Sequence, residues 1–384
     1  MNEKYADLTI VGLHDADGSF ENNLSPRVGK SYGLKQRISF SQKTSNSDVI
    51  AKVYEAIGED PNVTYATRTV RKDSEGNEIN ESKGVFNITS PGGQKLLAIF
   101  EKNPPLAPGK FRDYLIFLKI CSFKETREFE ELNSISFSSK LKNFDRDKIG
   151  LISCIWLMYH NAQSFKYSAA EREMRAGEMN DKITQLNPLQ EELALGLDLG
   201  KSCLGLIEEK QKNHEITLEN NLKLHNDYMV GMFIGDGWFF IYIKIDPDKP
   251  KIKIVVALNI IQSTDCIQLL NAFQTTFDGK GAIVADSAKK AAYVYKLEGV
   301  KNCVQYVIPL FNQYKFSSTK QKQYDLFREV VLLLNEKKHL TPEGLDKVIE
   351  LAYKFSALSQ GSRTVTIEEQ KNLAALYFKK RNNN

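Results

Sequence analysis

One short pattern occurs twice in the sequence, and this repeat constrains the fold more than any other feature. The first copy, residues 8–20, reads LTIVGLHDADGSF, and the second, residues 228–240, reads YMVGMFIGDGWFF. Each copy has an apolar stretch, a glycine, a small residue four positions later, and then Asp-Gly followed by an aromatic residue. Self-similarity at this distance predicts two related structural units within one chain of 384 residues.

Further landmarks follow both copies in the same order. Gln42 and Gln262 come 25 and 26 residues after the aspartate of their copy. Lys110 and Lys320 follow later, 93 and 84 residues after the same aspartates. A predicted helix follows each glutamine, at residues 47–57 and 264–277. Because the motif, the glutamine, this helix and the lysine share one order and similar spacing, a chance match of two short strings is a poor explanation.

Hydrophobic periodicity gives each half the same order of elements: helix, two strands, helix, two strands, then helices. The predicted fold class is therefore α+β, with two pseudo-symmetric αββαββα repeats joined by a helical linker. The predicted boundaries are residues 1–164 for the first half, 165–225 for the linker, 226–360 for the second half and 361–384 for a basic polar tail. We expect the tail to be frayed.

Composition excludes several classes of protein. The hydrophobic fraction of 42% and charged fraction of 26% are ordinary for a globular protein, and no apolar run is long enough for a membrane helix. The five cysteines form no C-x-x-C pair, which argues against a zinc site or a disulfide scaffold. The net charge is only +4, but residues 27–43 hold five basic and no acidic residues, a concentration typical of a phosphate-binding face.

Small residues in the two repeated segments predict close packing of two helices. In each copy two small residues lie four apart and share one helix face. The pairs are Gly12 with Ala16, and Gly231 with Gly235. Small side chains allow two helix backbones to approach closely, so the C-terminal ends of the helices bring Asp17 and Asp236 together. Adjacent carboxylates repel unless a cation lies between them, and hard divalent cations prefer oxygen ligands.

These segments resemble the LAGLIDADG signature of homing endonucleases and intron maturases. The resemblance implies that the motif helices pair at the centre of the molecule, beside saddle-shaped antiparallel sheets. It implies metal ligands at Asp17 and Asp236, with Ala16 and Gly235 beside them. The expected cofactor is Mg²⁺; Mn²⁺ is expected to replace it, and Ca²⁺ to bind without supporting cleavage. Metals held in this way activate water and stabilise the leaving oxygen in phosphodiester cleavage.

The resemblance also gives roles to the downstream landmarks. Gln42, Gln262, Lys110 and Lys320 match positions that surround the family's active site, where a lysine offsets charge on the scissile phosphate and a glutamine orients a water. An exposed helix-start lysine and a strand-end glutamine are the structural alternatives. Asp15 has no acidic counterpart, because Ile234 stands there in the second copy, so we expect a structural role such as capping. His14 is expected to be a core or interface histidine.

The DNA-binding face is predicted from strands whose polar residues alternate, so that one face packs on helices while the other lies in the major groove. In both halves the predicted contacts occupy alternate positions along a strand, so they lie on one face of it. They are Lys35, Arg37, Ser39, Thr67, Thr69 and Arg71 in the first half, and Tyr242, Lys244, Lys251 and Lys253 in the second. For any one of these residues alone, a solvated strand position is the better explanation; it is the set facing one way that indicates a groove reader.

The predicted function is therefore a monomeric, site-specific endonuclease that cuts both strands of a long asymmetric duplex DNA target. The runner-up is a maturase that binds its own intron RNA on the same scaffold. An intein would need a Cys or Ser start and a His-Asn end, which Met1 and Asn384 do not supply. A non-enzymatic DNA-binding repressor is a further alternative. No targeting peptide is visible, so we expect the protein to be encoded and to act within a mitochondrion or chloroplast.

Overall fold

The computed structural model describes most of the chain. The described residues are 5–27, 30–60, 66–72, 78–124, 174, 190–219, 222–246, 251–286, 291–316, 318–358 and 364–382. Cys154 and the predicted last helices of the first half lie outside them.

The first repeat runs helix, two strands, helix, two strands and two helices. Its elements are α1 (Asp7–Asp17), β1 (Gly18–Arg27), β2 (Lys30–Lys43), α2 (Asp48–Ala56), β3 (Ala66–Lys72), β4 (Glu78–Asn87), α3 (Pro91–Lys102) and α4 (Pro108–Lys124). A 3₁₀ turn, Thr44–Asn46, precedes α2. Within the predicted linker lies the helix α5 (Gln190–Glu219).

The second repeat has the same order. Its elements are α6 (Asn226–Asp236), β5 (Gly237–Asp246), β6 (Lys251–Ser263), α7 (Ile267–Thr276), β7 (Ala282–Ala285), β8 (Ala292–Glu298), α8 (Val300–Asn302), α9 (Ile308–Phe311), α10 (Ser318–Asn335), α11 (Pro342–Leu358) and α12 (Ile367–Asn382). A π-helical turn, Cys303–Val307, joins α8 to α9, and 3₁₀ turns precede α7 and α11 at Thr264–Cys266 and Lys338–Leu340.

Two antiparallel sheets confirm the α+β class. The first has the strand order β1-β2-β4-β3 and the second β5-β6-β8-β7, so the two repeats share one topology. In the second sheet Gly237 pairs with Ile260 and Lys244 with Lys253. Strand β5 alternates between buried and exposed residues along nearly its whole length, as a strand with one packed and one open face must.

The chain divides into two compact units that interleave along the sequence. One comprises residues 1–17, 41–83 and 221–384, and the other residues 18–40 and 84–220. The smaller unit has an aromatic core in which Phe20 contacts Phe100, Tyr114 and Phe117. In the larger unit Phe239 is packed against Phe233, Phe311 and Phe327. The predicted boundaries of halves and linker stay a prediction.

Local signals account for how several helices begin. The hydroxyl of Ser90 accepts from the backbone N–H of Gly93 and caps α3, with Pro91 as the first helical residue. Thr341 caps α11 in the same way, accepting from the N–H of Gly344 at 3.1 Å, with Pro342 following.

The expectation of a frayed tail is wrong for α12. Ala374, Tyr377 and Phe378 of this helix are all buried, and Lys371 forms an ion pair with Glu350 of α11 at 2.8 Å. The burial of these apolar side chains outweighs the polar composition of the segment. Within the described part of the chain, no helix is both long and apolar enough to cross a lipid bilayer.

Candidate active site

Helices α1 and α6 pack against each other along their length, in the larger unit. Seven consecutive residues of each helix are buried, residues 9–15 of α1 and residues 228–234 of α6, so these segments are enclosed on all sides. A Cβ atom on Gly12 would lie 2.2 Å from the backbone oxygen of Tyr228, and one on Gly231 would lie 2.2 Å from that of Thr9. The backbones therefore touch at the two glycines, which confirms the predicted close approach.

The same contact continues to the C-terminal ends of the helices. A Cβ on Gly235 would lie 2.4 Å from the Cβ of Ala16 and 2.7 Å from Oδ2 of Asp17. The Asp17 carboxylate thus lies against the residue that precedes Asp236. Both aspartates end their helices and stand directly before a strand, so the helix pair places them at one site.

Each aspartate is held by the glutamine that follows it in its own repeat. The side-chain amide of Gln42 donates to Oδ2 of Asp17 at 2.5 Å, and that of Gln262 donates to Oδ2 of Asp236 at 2.6 Å. Both glutamines are buried. Hydrogen bonds to a charged acceptor are short and orienting, so each amide fixes one oxygen of its carboxylate.

Lys320 is buried beside this pair. Its ammonium donates to the backbone oxygen of Gly237 at 2.5 Å and to that of Phe233 at 3.4 Å. Burial lowers the pKa of Lys320 to about 8, while the charges of Asp17 and Asp236 act in the opposite direction. Because it is coupled to both carboxylates, Lys320 belongs to the same electrostatic site.

Lys110, in the smaller unit, makes the contact equivalent to that of Lys320. It lies near the start of α4 and donates to the backbone oxygen of Gly18. Gly18 follows the first aspartate in the chain as Gly237 follows the second. The repeat identified in the sequence therefore extends to the hydrogen bonds of its lysines.

Asp15 and His14 are both buried within the helix pair. The hydroxyl of Tyr228 donates to Oδ2 of Asp15 at 2.7 Å. Asp15 thus has the expected structural role, although it links two helices rather than capping one. His14, in α1, is fully buried, which agrees with a core or interface histidine.

The residues present fit oxygen-coordinated divalent cations. The Asp17 carboxylate and the Ala16 side chain lie against Gly235, the residue before Asp236. Carboxylate and carbonyl oxygens are the donors that Mg²⁺, Mn²⁺ and Ca²⁺ accept. Among the described residues, no three His, Cys, Asp or Glu side chains cluster as they would around a zinc ion. None of the four described cysteines, Cys121, Cys203, Cys266 and Cys303, forms a disulfide.

The second sheet presents the open face that the sequence predicts. Tyr242 and Lys244 of β5 and Lys251 and Lys253 of β6 are exposed. Lys244 pairs directly with Lys253 across the strands, which concentrates positive charge on this face. The arrangement suits contact with phosphates or with guanine, the two targets open to a lysine.

The first sheet agrees only in part with the sequence prediction. Lys35 is exposed, and Nε of Arg37 donates to Asn87 at 3.2 Å. Ser39, expected on the open face, is buried, and its hydroxyl donates to Glu21 at 2.7 Å. Thr67, Thr69 and Arg71 lie on β3 as predicted, but their side chains fall outside the described part of the structure. Their role as DNA contacts stays a prediction.

Residues 229–331, which contain most of the second motif helix and the strands after it, match the family described as LAGLIDADG endonuclease. Over these residues the chain is similar to LAGLIDADG endonucleases. The resemblance seen in the two repeated segments is thus confirmed.

Two curated relatives of this chain come from fungi. Probable intron-encoded endonuclease 2 of Neurospora crassa is 26% identical over 187 residues, which are 45% of this chain and 40% of that protein. Probable intron-encoded DNA endonuclease 1 of Mycosarcoma maydis is 33% identical over 139 residues, which are 34% of this chain and 48% of that protein. The matches therefore span less than half the length of each of these relatives.

Solved structures of homing endonucleases share the fold of this chain. The I-LtrWI LAGLIDADG homing endonuclease bound to target DNA matches 91% of this chain and 96% of its own, with a TM-score of 0.61 and 17% identity. I-GzeII in complex with its DNA target matches 91% and 97%, with a TM-score of 0.62 and 17% identity. I-SmaMI bound to uncleaved DNA in the presence of calcium ions matches 91% and 98%, with a TM-score of 0.59 and 18% identity.

Two features of the site escaped the sequence prediction. The hydrogen bond between Tyr228 and Asp15 joins residues 213 positions apart, and no local pattern indicates such a pair. The second feature is the exposure of the Trp238 and Phe240 side chains. Strand parity could have indicated them, because both share the parity of Tyr242, but apolar residues are normally assigned to the core.

Proposed function

We propose that this protein is a site-specific DNA endonuclease that cleaves both strands of a long asymmetric target. The observation that carries the proposal is the paired helix ends, where the Asp17 carboxylate contacts Gly235 beside Asp236. Two equivalent carboxylates, each held by its own glutamine, suit a site that acts on two phosphodiester bonds. The names of the curated relatives, both intron-encoded endonucleases, support the same conclusion.

The proposed cofactor is Mg²⁺, held by Asp17 and Asp236 with the backbone oxygens of Ala16 and Gly235. When bound, such a cation lowers the pKa of a water molecule and offsets charge on the leaving oxygen. The protein's own contribution is to hold both carboxylates in place before the substrate arrives. Gln42 and Gln262 do so by donating a hydrogen bond to one oxygen of each carboxylate.

The two lysines are proposed to stabilise negative charge on the scissile phosphates. Lys320 is buried and already coupled to both aspartates, so its positive charge acts in surroundings of low polarity, where electrostatic stabilisation is strongest. By the equivalence of the repeats, Lys110 serves the other strand. Since both lysines donate hydrogen bonds to backbone oxygens, their ammonium groups are held in fixed positions.

Duplex DNA is proposed to lie along the open faces of the two sheets. On β5 and β6 this face carries Lys244, Lys251 and Lys253, and a strand pair of this width fits the major groove. Because the two repeats have different residues on these faces, the two half-sites of the target differ in sequence.

One chain is proposed to form the whole active site. Helices α1 and α6 come from a single polypeptide and already satisfy each other's close-packing faces. Analytical ultracentrifugation of the protein–DNA complex tests this: one chain per duplex is expected, and activity that disappears as two chains dissociate on dilution would contradict it.

The gene is proposed to lie within an organellar intron, because the relatives from Neurospora crassa and Mycosarcoma maydis are described as intron-encoded. The sequence around the coding region tests this point. An open reading frame inside a mitochondrial or chloroplast intron is expected, whereas a nuclear gene without such an intron would contradict it.

Selection of cleaved targets from a randomised duplex library tests the function directly. In Mg²⁺ we expect recovery of one long asymmetric sequence, cut on both strands at fixed positions. A protein that binds the intron transcript but neither binds nor cuts any duplex would instead be a maturase. Binding to a selected duplex without any nicking in Mg²⁺ or Mn²⁺ would indicate a repressor.

A further inference from the structure

Three exposed aromatic side chains stand in a row on β5, directly after Asp236. Trp238, Phe240 and Tyr242 are 37%, 39% and 42% exposed, and all three point to the open face of the second sheet. The rings of Phe240 and Tyr242 are nearly parallel, with 8° between their planes. Large apolar side chains on an open face indicate a binding surface rather than part of the core.

The row is continuous with the candidate active site. It lines a cavity of about 1200 Å³ together with Asp17, Gln42 and Lys320. Moving outward along β5, the face changes from aromatic at residues 238–242 to cationic at Lys244, which pairs with Lys253. The partner of this surface must therefore be apolar near the catalytic end and negatively charged farther out.

Duplex DNA meets both requirements through its major groove. Phosphates complement the lysines, while the C5-methyl group of thymine is the one apolar group that a base presents in that groove. A strand rises about 3.4 Å per residue, close to the base-pair rise of about 3.4 Å. Alternate residues of β5 thus face about every second base pair.

We propose that Phe240 and Tyr242 read thymine methyl groups in the half-site nearest Asp236. Trp238 is left out of this proposal because its ring is held in place within the sheet: its indole nitrogen lies 3.0 Å from the side-chain amide of Asn259. This inference rests on the proposed DNA endonuclease function, and it names the residues that set sequence preference in one half of the target.

The first repeat supplies a matched comparison. Aligning Gly18 with Gly237 places Ser19 and Glu21 at the positions of Trp238 and Phe240. Both are polar, and the hydroxyls of Ser19 and Ser39 approach Glu21 at 3.3 and 2.7 Å. The first sheet therefore offers no aromatic surface at the equivalent place, and methyl reading belongs to one half-site.

Replacing thymine with deoxyuridine removes only the methyl group and tests the proposal. Affinity of the full chain for its selected duplex is measured without divalent cations, with each thymine replaced in turn. Loss of a thymine methyl facing β5 should weaken binding roughly fourfold, the factor expected for one buried carbon group. Replacements in the other half-site should leave affinity unchanged.

Two variants make the assignment specific. In Phe240→Ala, replacing the thymine that faces Phe240 with deoxyuridine should no longer weaken binding. In the control Glu21→Ala, the same replacement should weaken binding as much as it does in the parent. A selected target with no thymine facing β5, or a deoxyuridine effect that remains in both Phe240→Ala and Tyr242→Ala, would overturn the inference while leaving the endonuclease function intact. Failure to bind any duplex would overturn both.

Discussion

The hydroxyl of Tyr228 donates a 2.7 Å hydrogen bond to the carboxylate of Asp15, joining α6 to α1 inside the protein. Burial raises the pKa of Tyr228 well above its ordinary value, and the charge of Asp15 raises it further. The tyrosine therefore stays protonated and remains a donor throughout the physiological pH range. This bond fixes the register of two helices whose ends carry Asp17 and Asp236.

Removing the donor should destabilise the helix pair. In Tyr228→Phe the buried Asp15 loses this hydrogen bond, which should lower the free energy of unfolding by about 1–3 kcal/mol. The exposed Tyr242→Phe, which removes the same oxygen from a solvated site, should change it little. Urea denaturation followed by circular dichroism measures both, and equal midpoints for the two variants would contradict this role for Tyr228.

Adding one methyl group at the helix crossing should be more damaging. A Cβ on Gly12 would lie 2.2 Å from a backbone oxygen, so Gly12→Ala must separate the helices and should cost at least about 1–3 kcal/mol. Gly205 is the control, because a Cβ there would meet nothing within 4 Å. Gly205→Ala should be neutral or slightly stabilising, since alanine favours helix. A Gly12→Ala protein as stable and active as the parent would refute the close packing.

The sequence predicted the repeat architecture well because its signals are local and occur twice. Apolar helices, Asp-Gly ends and following glutamines recur at matching spacing, and tertiary structure brings each glutamine to its own aspartate. Long-range pairing is different: nothing near Asp15 or Tyr228 indicates the other residue. Ser39 shows a related limit, because strand parity gives the face on which a side chain lies but not what covers that face. Helix α12 forms because Tyr377 and Phe378 are buried, which a polar tail sequence does not reveal.

Asp113 should make stability depend on pH. One of its oxygens is buried and finds no hydrogen-bond donor among the described residues. Burial raises the pKa of Asp113 from 3.8 to about 7, against the opposing charges of Lys110 and Arg112. The native state thus keeps a proton that the unfolded chain loses near pH 4, so this group's contribution to stability falls as pH rises from 4 to 7.

The variant Asp113→Asn should remove that dependence. Each pKa unit corresponds to about 1.4 kcal/mol, so the effect is on the order of a few kcal/mol. Denaturant midpoints at pH 5 and pH 8 should therefore differ less in the variant than in the parent. At pH 8 the variant should be more stable than the parent. A variant that is less stable than the parent at pH 8 would show that Asp113 is charged and paired.

Lys320 should contribute to cleavage rather than to folding or DNA binding. Lys320→Met keeps a long side chain in the buried site but removes the charge, and loss of one such electrostatic group lowers rates by about 10²–10³. Lys322, exposed on the same helix, supplies the control variant Lys322→Met, which should cleave at the parent rate. Single-turnover cleavage with saturating protein measures both. Parent-like cleavage by Lys320→Met would remove this lysine from the mechanism.

The joint action of Asp17 and Asp236 is the central claim, and cleavage of a supercoiled plasmid that contains the selected target tests it most directly. Asp17→Asn and Asp236→Asn should each bind the target without producing linear plasmid, because each removes a negative charge needed at the paired helix ends. Asp15→Asn, two residues away, should still linearise the plasmid, since its role is structural. Linear product formed at the parent rate by either Asp17→Asn or Asp236→Asn would contradict the account.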